Sequence, residues 1–138
     1  MPKTSMKQGF TLVEAVISAV LLLMVVGGSY SLVNRSAQLI YSARNHYLAV
    51  NIARARLERA RTFTYDQLMT LSETNIVVDD SGNPLSTGYF RRSTMVNTNY
   101  QVGLTKIEVR TDIRNSRDLT FKDDYESVAS LYTEYLTQ

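Results

Sequence analysis

The 138-residue chain has no cysteine and no tryptophan, a single histidine and only two prolines. Without cysteine, disulfide scaffolds and thiolate metal sites are excluded. His46 has no cysteine to join it, so a zinc site of standard ligands and a histidine-based triad with a located partner both lack parts. The six glycines form no phosphate-cradling array. Asp79-Asp80, with Ser81 and Asn83 following, departs from calcium-loop spacing and lacks its distal glutamate. It reads as a solvated loop, as does Asp123-Asp124. No catalytic constellation remains, so the chain is expected not to be an enzyme and to need no cofactor or metal.

Charge is also scarce. The formal net charge is +2, and Lys3 and Lys7 at the extreme N-terminus account for it. The rest of the chain is near neutral, which argues against nucleic acid as a general partner.

What the chain does have is one long apolar run, Gly9 to Gly28, broken by a single charge at Glu14. At about 1.5 Å per residue the run approaches the roughly 30 Å hydrocarbon thickness of a bilayer. Lys3 and Lys7 precede it and no acidic residue does, so the N-terminus is expected in the cytoplasm and the bulk of the chain outside. A carboxylate inside such a span costs roughly 2.5–3.5 kcal/mol on insertion scales and therefore calls for a partner.

Lys7-Gln8-Gly9-Phe10-Thr11-Leu12-Val13-Glu14 resembles the class III signal of type IV pilins and type II secretion pseudopilins. In an ordinary secretory signal the apolar region is discarded with the leader; here it lies after the cut and is kept. The resemblance implies cleavage between Gly9 and Phe10 by a prepilin peptidase and methylation of the new N-terminus at Phe10. The Phe10 ammonium of one subunit would then pair with Glu14 of another at low dielectric, where an unpaired charge is expensive. Glu14 becomes a register device. The implied partners are the peptidase, other pilin or pseudopilin subunits, an inner-membrane assembly platform and membrane lipid. The subunit would begin as a single-pass inner-membrane protein with its head in the periplasm and end in a fibre.

From Asn34 to Arg61 the pattern turns amphipathic, with Val33, Ala37, Ile40, Tyr41, Leu48, Ile52, Ala53, Leu57 and Ala60 recurring mostly three or four apart. One helix from about Phe10 to Arg61 would be roughly 75 Å long. Gly27-Gly28, each costing about 1 kcal/mol of helix propensity, mark a possible hinge. The expected organisation is a cleaved leader over 1–9, a membrane and assembly helix over 10–28, the exposed amphipathic half of the same helix over 29–61 and a head over 62–138.

The arginine-rich end of this helix, with Tyr65-Asp66 after it, resembles I-type minor pseudopilins and the related type IV pilus modification minor pilins. The lack of cysteine departs from many major pilins, whose C-terminal loop carries a disulfide, and favours a minor subunit.

Beyond Leu71 the sequence becomes strand-like. Asn75–Val78 is a short strand and Asp79–Pro84 a turn. Tyr89–Val96 and Tyr100–Leu104 suggest two strands around Asn97-Thr98-Asn99, with a bulge or break at Thr105. Lys106–Ile113 alternates apolar with charged residues and predicts a strand buried on one face and wet on the other. Arg114–Asp118 reads as a connection and Tyr125–Leu136 as the last strand. The fold class is α+β: a long N-terminal helix, membrane-spanning in its first half, packed against a small antiparallel sheet in the pilin manner. The leading function is a structural subunit of a type IV pilus or type II secretion pseudopilus. The alternatives are a tip-located adhesive or DNA-uptake minor pilin, for which Arg91-Arg92 offers a small basic spot, and a membrane protein with an enzymatic exterior domain, against which the missing catalytic set argues.

Overall fold

The computed structural model describes residues 11–115, 118–122 and 124–133. Its elements are a helix α1 (Leu12–Ala60), a 3-10 helix (Tyr65–Leu71) and four strands, β1 (Glu73–Val78), β2 (Phe90–Gln101), β3 (Leu104–Ile113) and β4 (Tyr125–Thr133). The strands form one antiparallel meander in the order β1-β2-β3-β4. This is the α+β architecture that the sequence leads one to expect. The chain divides into two compact units, residues 1–41 and 42–138.

In the second unit the last part of α1 supplies Ala49, Ile52, Ala53, Leu57 and Ala60 to the core. Their three- and four-residue spacing keeps them on one stripe of the helix. Ala53, Leu57 and Ala60 pack with Leu68, Leu71, Ile107 and Val109, and Ala49 and Ile52 with Val78, Phe90 and Ile113. Burying a side chain such as Ile52 or Leu57 is worth about 1.5–3 kcal/mol. The earlier members of the amphipathic pattern, Val33, Ile40 and Tyr41, are exposed.

α1 stops at Ala60 because the backbone tightens. The Arg61, Thr62 and Phe63 N–H groups reach back three residues to the carbonyls of Glu58, Arg59 and Ala60. The Leu57 carbonyl accepts instead from the Tyr132 hydroxyl at 2.7 Å. Every carbonyl of the last turn therefore has a partner. The 3-10 helix that follows was not foreseen in the Tyr65-Asp66 segment; it buries Leu68 and Leu71.

β3 follows its alternating pattern. Thr105, Ile107, Val109, Thr111 and Ile113 face the helix and are buried, while Lys106, Glu108 and Arg110 are half-exposed on the other face. Asp112 departs from that pattern: it is buried, because Arg91 and Arg110 both donate to its carboxylate, at 2.8–3.0 Å and 2.7 Å.

Two expectations for the central hairpin need correction, the second in part. Tyr89–Val96 and Tyr100–Leu104 are not separate strands; β2 runs unbroken through Asn97-Thr98-Asn99 with a register irregularity there. The reversal lies at Val102-Gly103, where Gly103 adopts φ 70° at little steric cost. Thr105 is not a break, since its pairing with Tyr132 belongs to a continuous β3–β4 register from Leu104 to Asp112, but the expected irregularity does lie there on the other side, where residues 98–100 of β2 stand against Thr105 alone. The slip in phase that the sequence shows at Thr105 thus falls where the β2–β3 register shifts, next to the hairpin turn.

The β1–β2 connection folds on Asp79. Its Oδ1 accepts from the Ser81 and Asn83 N–H groups at 2.9 and 2.8 Å, and its Oδ2 from the Asn83 amide at 3.2 Å. The loop returns along β1, where the Leu85 N–H donates to the Val77 carbonyl at 2.9 Å and Val78 pairs with Pro84. Gly88 permits the close approach that follows, since a Cβ there would meet the Val78 carbonyl oxygen at 2.8 Å.

Beneath β1 and β2 sits a buried charged cluster. The Glu73 carboxylate accepts from both Arg56, at 3.1 Å, and Arg92, and also from the Thr94 hydroxyl at 3.0 Å. Arg92 also donates to the Gly82 carbonyl and Arg56 to that of Leu71. Burial lowers the pKa of Arg56, and the neighbouring Glu73 works against that shift.

Candidate assembly and processing segment

α1 begins at Leu12, and Thr11 caps it. The Thr11 carbonyl accepts from the Ala15 N–H at 3.1 Å, and its side-chain hydroxyl from the Glu14 N–H at 3.3 Å. Thr11 and Glu14 stand three apart, the spacing of a capping box, in which the helix N-terminus also favours a nearby carboxylate. The capping role of Thr11 was missed in the sequence, although Thr-x-x-Glu is its signal.

Glu14 lies on an exposed turn of α1. Among the described residues no cation pairs with it. The next basic side chain along the helix is Arg35, about 30 Å away along the axis. Lys3, Lys7, Gly9 and Phe10, the residues expected to form the leader, the cut and the methylated terminus, lie outside the described residues.

From Leu12 to Val26 the aliphatic side chains are exposed all round the helix. This is the one helix in the described residues long and apolar enough to cross a membrane. α1 passes through Gly27 and Gly28 without a break, and a Cβ at either would meet open space. The Ser29 hydroxyl donates back to the Val25 carbonyl at 2.8 Å, across the glycine pair.

The other candidates resolve into local structure. His46 faces two carboxylates, with Nδ1 at 2.9 Å from Glu126 and Nε2 at 3.5 Å from Asp124. Arg91 and Arg92 are not a free basic spot: Asp112 neutralises the first and Glu73 the second, and Arg92 is 6 % exposed. Asp79 organises its own loop, which holds its pKa below the ordinary carboxylate value, chiefly through the Asn83 backbone N–H. Asp123 lies outside the described residues. Among the described residues there is no group of three or more histidine, cysteine or acidic side chains able to hold a metal ion.

Residues 4–30 match the family model described as the prokaryotic N-terminal methylation motif. No curated protein and no solved structure matches the chain. The motif, together with the long apolar helix that follows it, supports a type IV pilin-like prepilin with a single membrane anchor. It implies processing by a prepilin peptidase and assembly with other pilins, a family that is in general structural rather than enzymatic.

Proposed function

We propose that the chain is a minor pilin or pseudopilin, a structural subunit of a type IV pilus or a type II secretion pseudopilus. The observation that carries the reading is the methylation motif over residues 4–30, running directly into a helix whose one early carboxylate has no cation among the described residues. In this reading the peptidase cuts between Gly9 and Phe10, removing Lys3 and Lys7 with the leader. Phe10 is then methylated, and its ammonium meets Glu14 of a neighbouring subunit.

The pairing sets the axial register. Within an apolar bundle Glu14 is relieved only by a cation at the right offset, and a neighbour one turn too high or too low leaves both charges desolvated. The glycine pair Gly27-Gly28 supplies a weak place in the helix, at about 1 kcal/mol per glycine, where bending during extraction would concentrate. The test is intact mass spectrometry of the protein purified from membranes that contain a prepilin peptidase. A chain lacking its first nine residues and carrying an added methyl group on Phe10 is expected. A full-length chain in such membranes would overturn the reading.

A further inference from the structure

Leu119 is a bulky residue held in a conformation that suits glycine. Its φ is 55°, in the left-handed region where the Cβ of an L-residue crowds the backbone, and it is 55 % exposed. No burial within the described residues offsets that strain. Three bonds hold the loop in place: the Leu119 N–H donates to the Asn115 carbonyl at 3.0 Å, the Asn115 N–H to the Thr120 carbonyl at 2.9 Å, and Arg114 Nε to the Leu119 carbonyl at 2.9 Å. Strain that the surroundings enforce in this way gathers at positions of contact and function.

A pocket lies at the opposite end of the head. Its volume is about 370 Å³, and Phe63, Tyr65, Leu68, Leu131 and Tyr132 give it apolar walls. Among the described residues Arg61 is the one charged side chain that lines it, exposed, 3.4 Å from Glu58 and bonded to the Tyr132 hydroxyl. β3 sets the separation of the two features. Its first residue, Leu104, pairs with Thr133 at the pocket, and its last, Ile113, leads into the loop that carries Leu119. Ten residues of strand put these ends on the order of 30 Å apart.

We propose that Leu119 of one copy of the chain enters this pocket in a second copy. The loop end of one head then meets the pocket end of the other, so the strands and the helix of both heads run the same way and no element is reversed. The charges agree with this contact. Asp118, exposed and next to Leu119, arrives at Arg61, whose five donors leave room for a further carboxylate beside Glu58 and Tyr132. Knob and pocket are different surfaces at different ends, so the contact is heterologous and does not close: a third copy docks on the second as the second does on the first, and the product is an open stack. The contact names the neighbour of the proposed fibre subunit and rests on that reading for its place in a fibre, but it needs neither cleavage nor methylation.

The chain has no cysteine, so introduced thiols report on chosen positions. The full chain is extracted from membranes in detergent, where no bilayer holds two copies at one depth. Mild oxidation of Leu119→Cys mixed with Leu131→Cys should give a dimer on a non-reducing gel, and neither variant alone should. Both substitutions in one chain should give a ladder that continues past the dimer. Leu119→Gly relaxes the backbone and removes the side chain, so the thermal midpoint should hold or rise while the multimers expected of the parent in sedimentation are lost. Leu119→Asn, which also tolerates this φ, should behave likewise. The proposal is overturned if the mixture crosslinks no more than the single variants, if the ladder stops at the dimer, or if Leu119→Gly associates as the parent does. A mixed disulfide of Leu131→Cys with a different protein overturns it as well, by assigning the pocket to another subunit. A chain that crosslinks as expected but is never cleaved after Gly9 would keep this contact and remove the pilin reading.

Discussion

The Tyr132 hydroxyl donates to the backbone carbonyl of Leu57, 75 positions earlier in the chain and 2.7 Å away. The bond satisfies the one carbonyl in the last turn of α1 that no backbone N–H reaches, and it ties the final strand to the end of the helix. Burial pushes the Tyr132 hydroxyl above the ordinary tyrosine range, which favours the protonated form that donates. Tyr132→Phe keeps the ring packing and leaves the carbonyl unpaired, at a cost of about 1–3 kcal/mol. Faster hydrogen exchange at the β4 amides is the expected sign, and unchanged exchange would show that water replaces the hydroxyl.

Glu73 is the hub of a three-donor cluster, and its loss should be the most damaging polar substitution in the head. Glu73→Ala leaves Arg56 and Arg92 buried without a counter-ion, costing about 3–5 kcal/mol. Thermal unfolding of the full chain in detergent should show a large drop in midpoint. Glu58→Ala, at an exposed pair with Arg61, should barely move it.

The Asp79 loop should depend on acid. Because its folded pKa is depressed, the stabilisation it gives is present above the unfolded value of about 3.9 and is lost as pH falls through the lower folded value. Amide exchange at Ser81 and Asn83 should therefore rise below about pH 4 in the parent. In Asp79→Ala it should be fast throughout. A parent loop that stays protected well below that range would show that backbone contacts alone hold it.

Gly9→Val should block removal of the leader, since a side chain at the cut crowds the backbone that the peptidase must admit. A gel of membranes containing the peptidase would show the longer chain accumulating. Normal processing of the variant would remove the cut from this position.

Glu14→Ala should insert and be cleaved normally yet assemble poorly. Alanine removes a charge that is costly in the bilayer, and it also deprives a neighbour's Phe10 ammonium of its counter-ion. Sheared fibres should contain far less of the variant than of the parent, and crosslinks between subunit N-termini and residues near position 14 should vanish. Incorporation at the parental level would make the charge incidental.

What was legible in the sequence follows the strength of its patterns. The apolar run and the alternation of Lys106–Ile113 each repeat one physical signal over many residues, and the helix and the strand lie where those signals put them. The hairpin was misread because Asn97-Thr98-Asn99 carries residues typical of turns, whereas the reversal needed only one glycine at positive φ, Gly103. The 3-10 helix over Tyr65–Leu71 is held by tertiary burial of Leu68 and Leu71, which no local period announces. The ion pairs of Arg91, Arg92 and His46 join residues far apart in the chain, and only the sheet brings them together.

One strand touches the helix at both of its ends. Near its start, Glu126 receives His46; near its finish, Tyr132 holds Leu57. The six residues of strand between these points span about 20 Å, and the eleven residues of helix between theirs about 16 Å, so the two run side by side in the same direction. β4 thus acts as a splint along α1 from His46 to Leu57. A pull that stretches or unwinds that length of helix would have to release these two fastenings together with the packing of Ala49, Ile52, Ala53 and Leu57 between them, so mechanical load entering the head would be shared along the whole buried stripe of the helix.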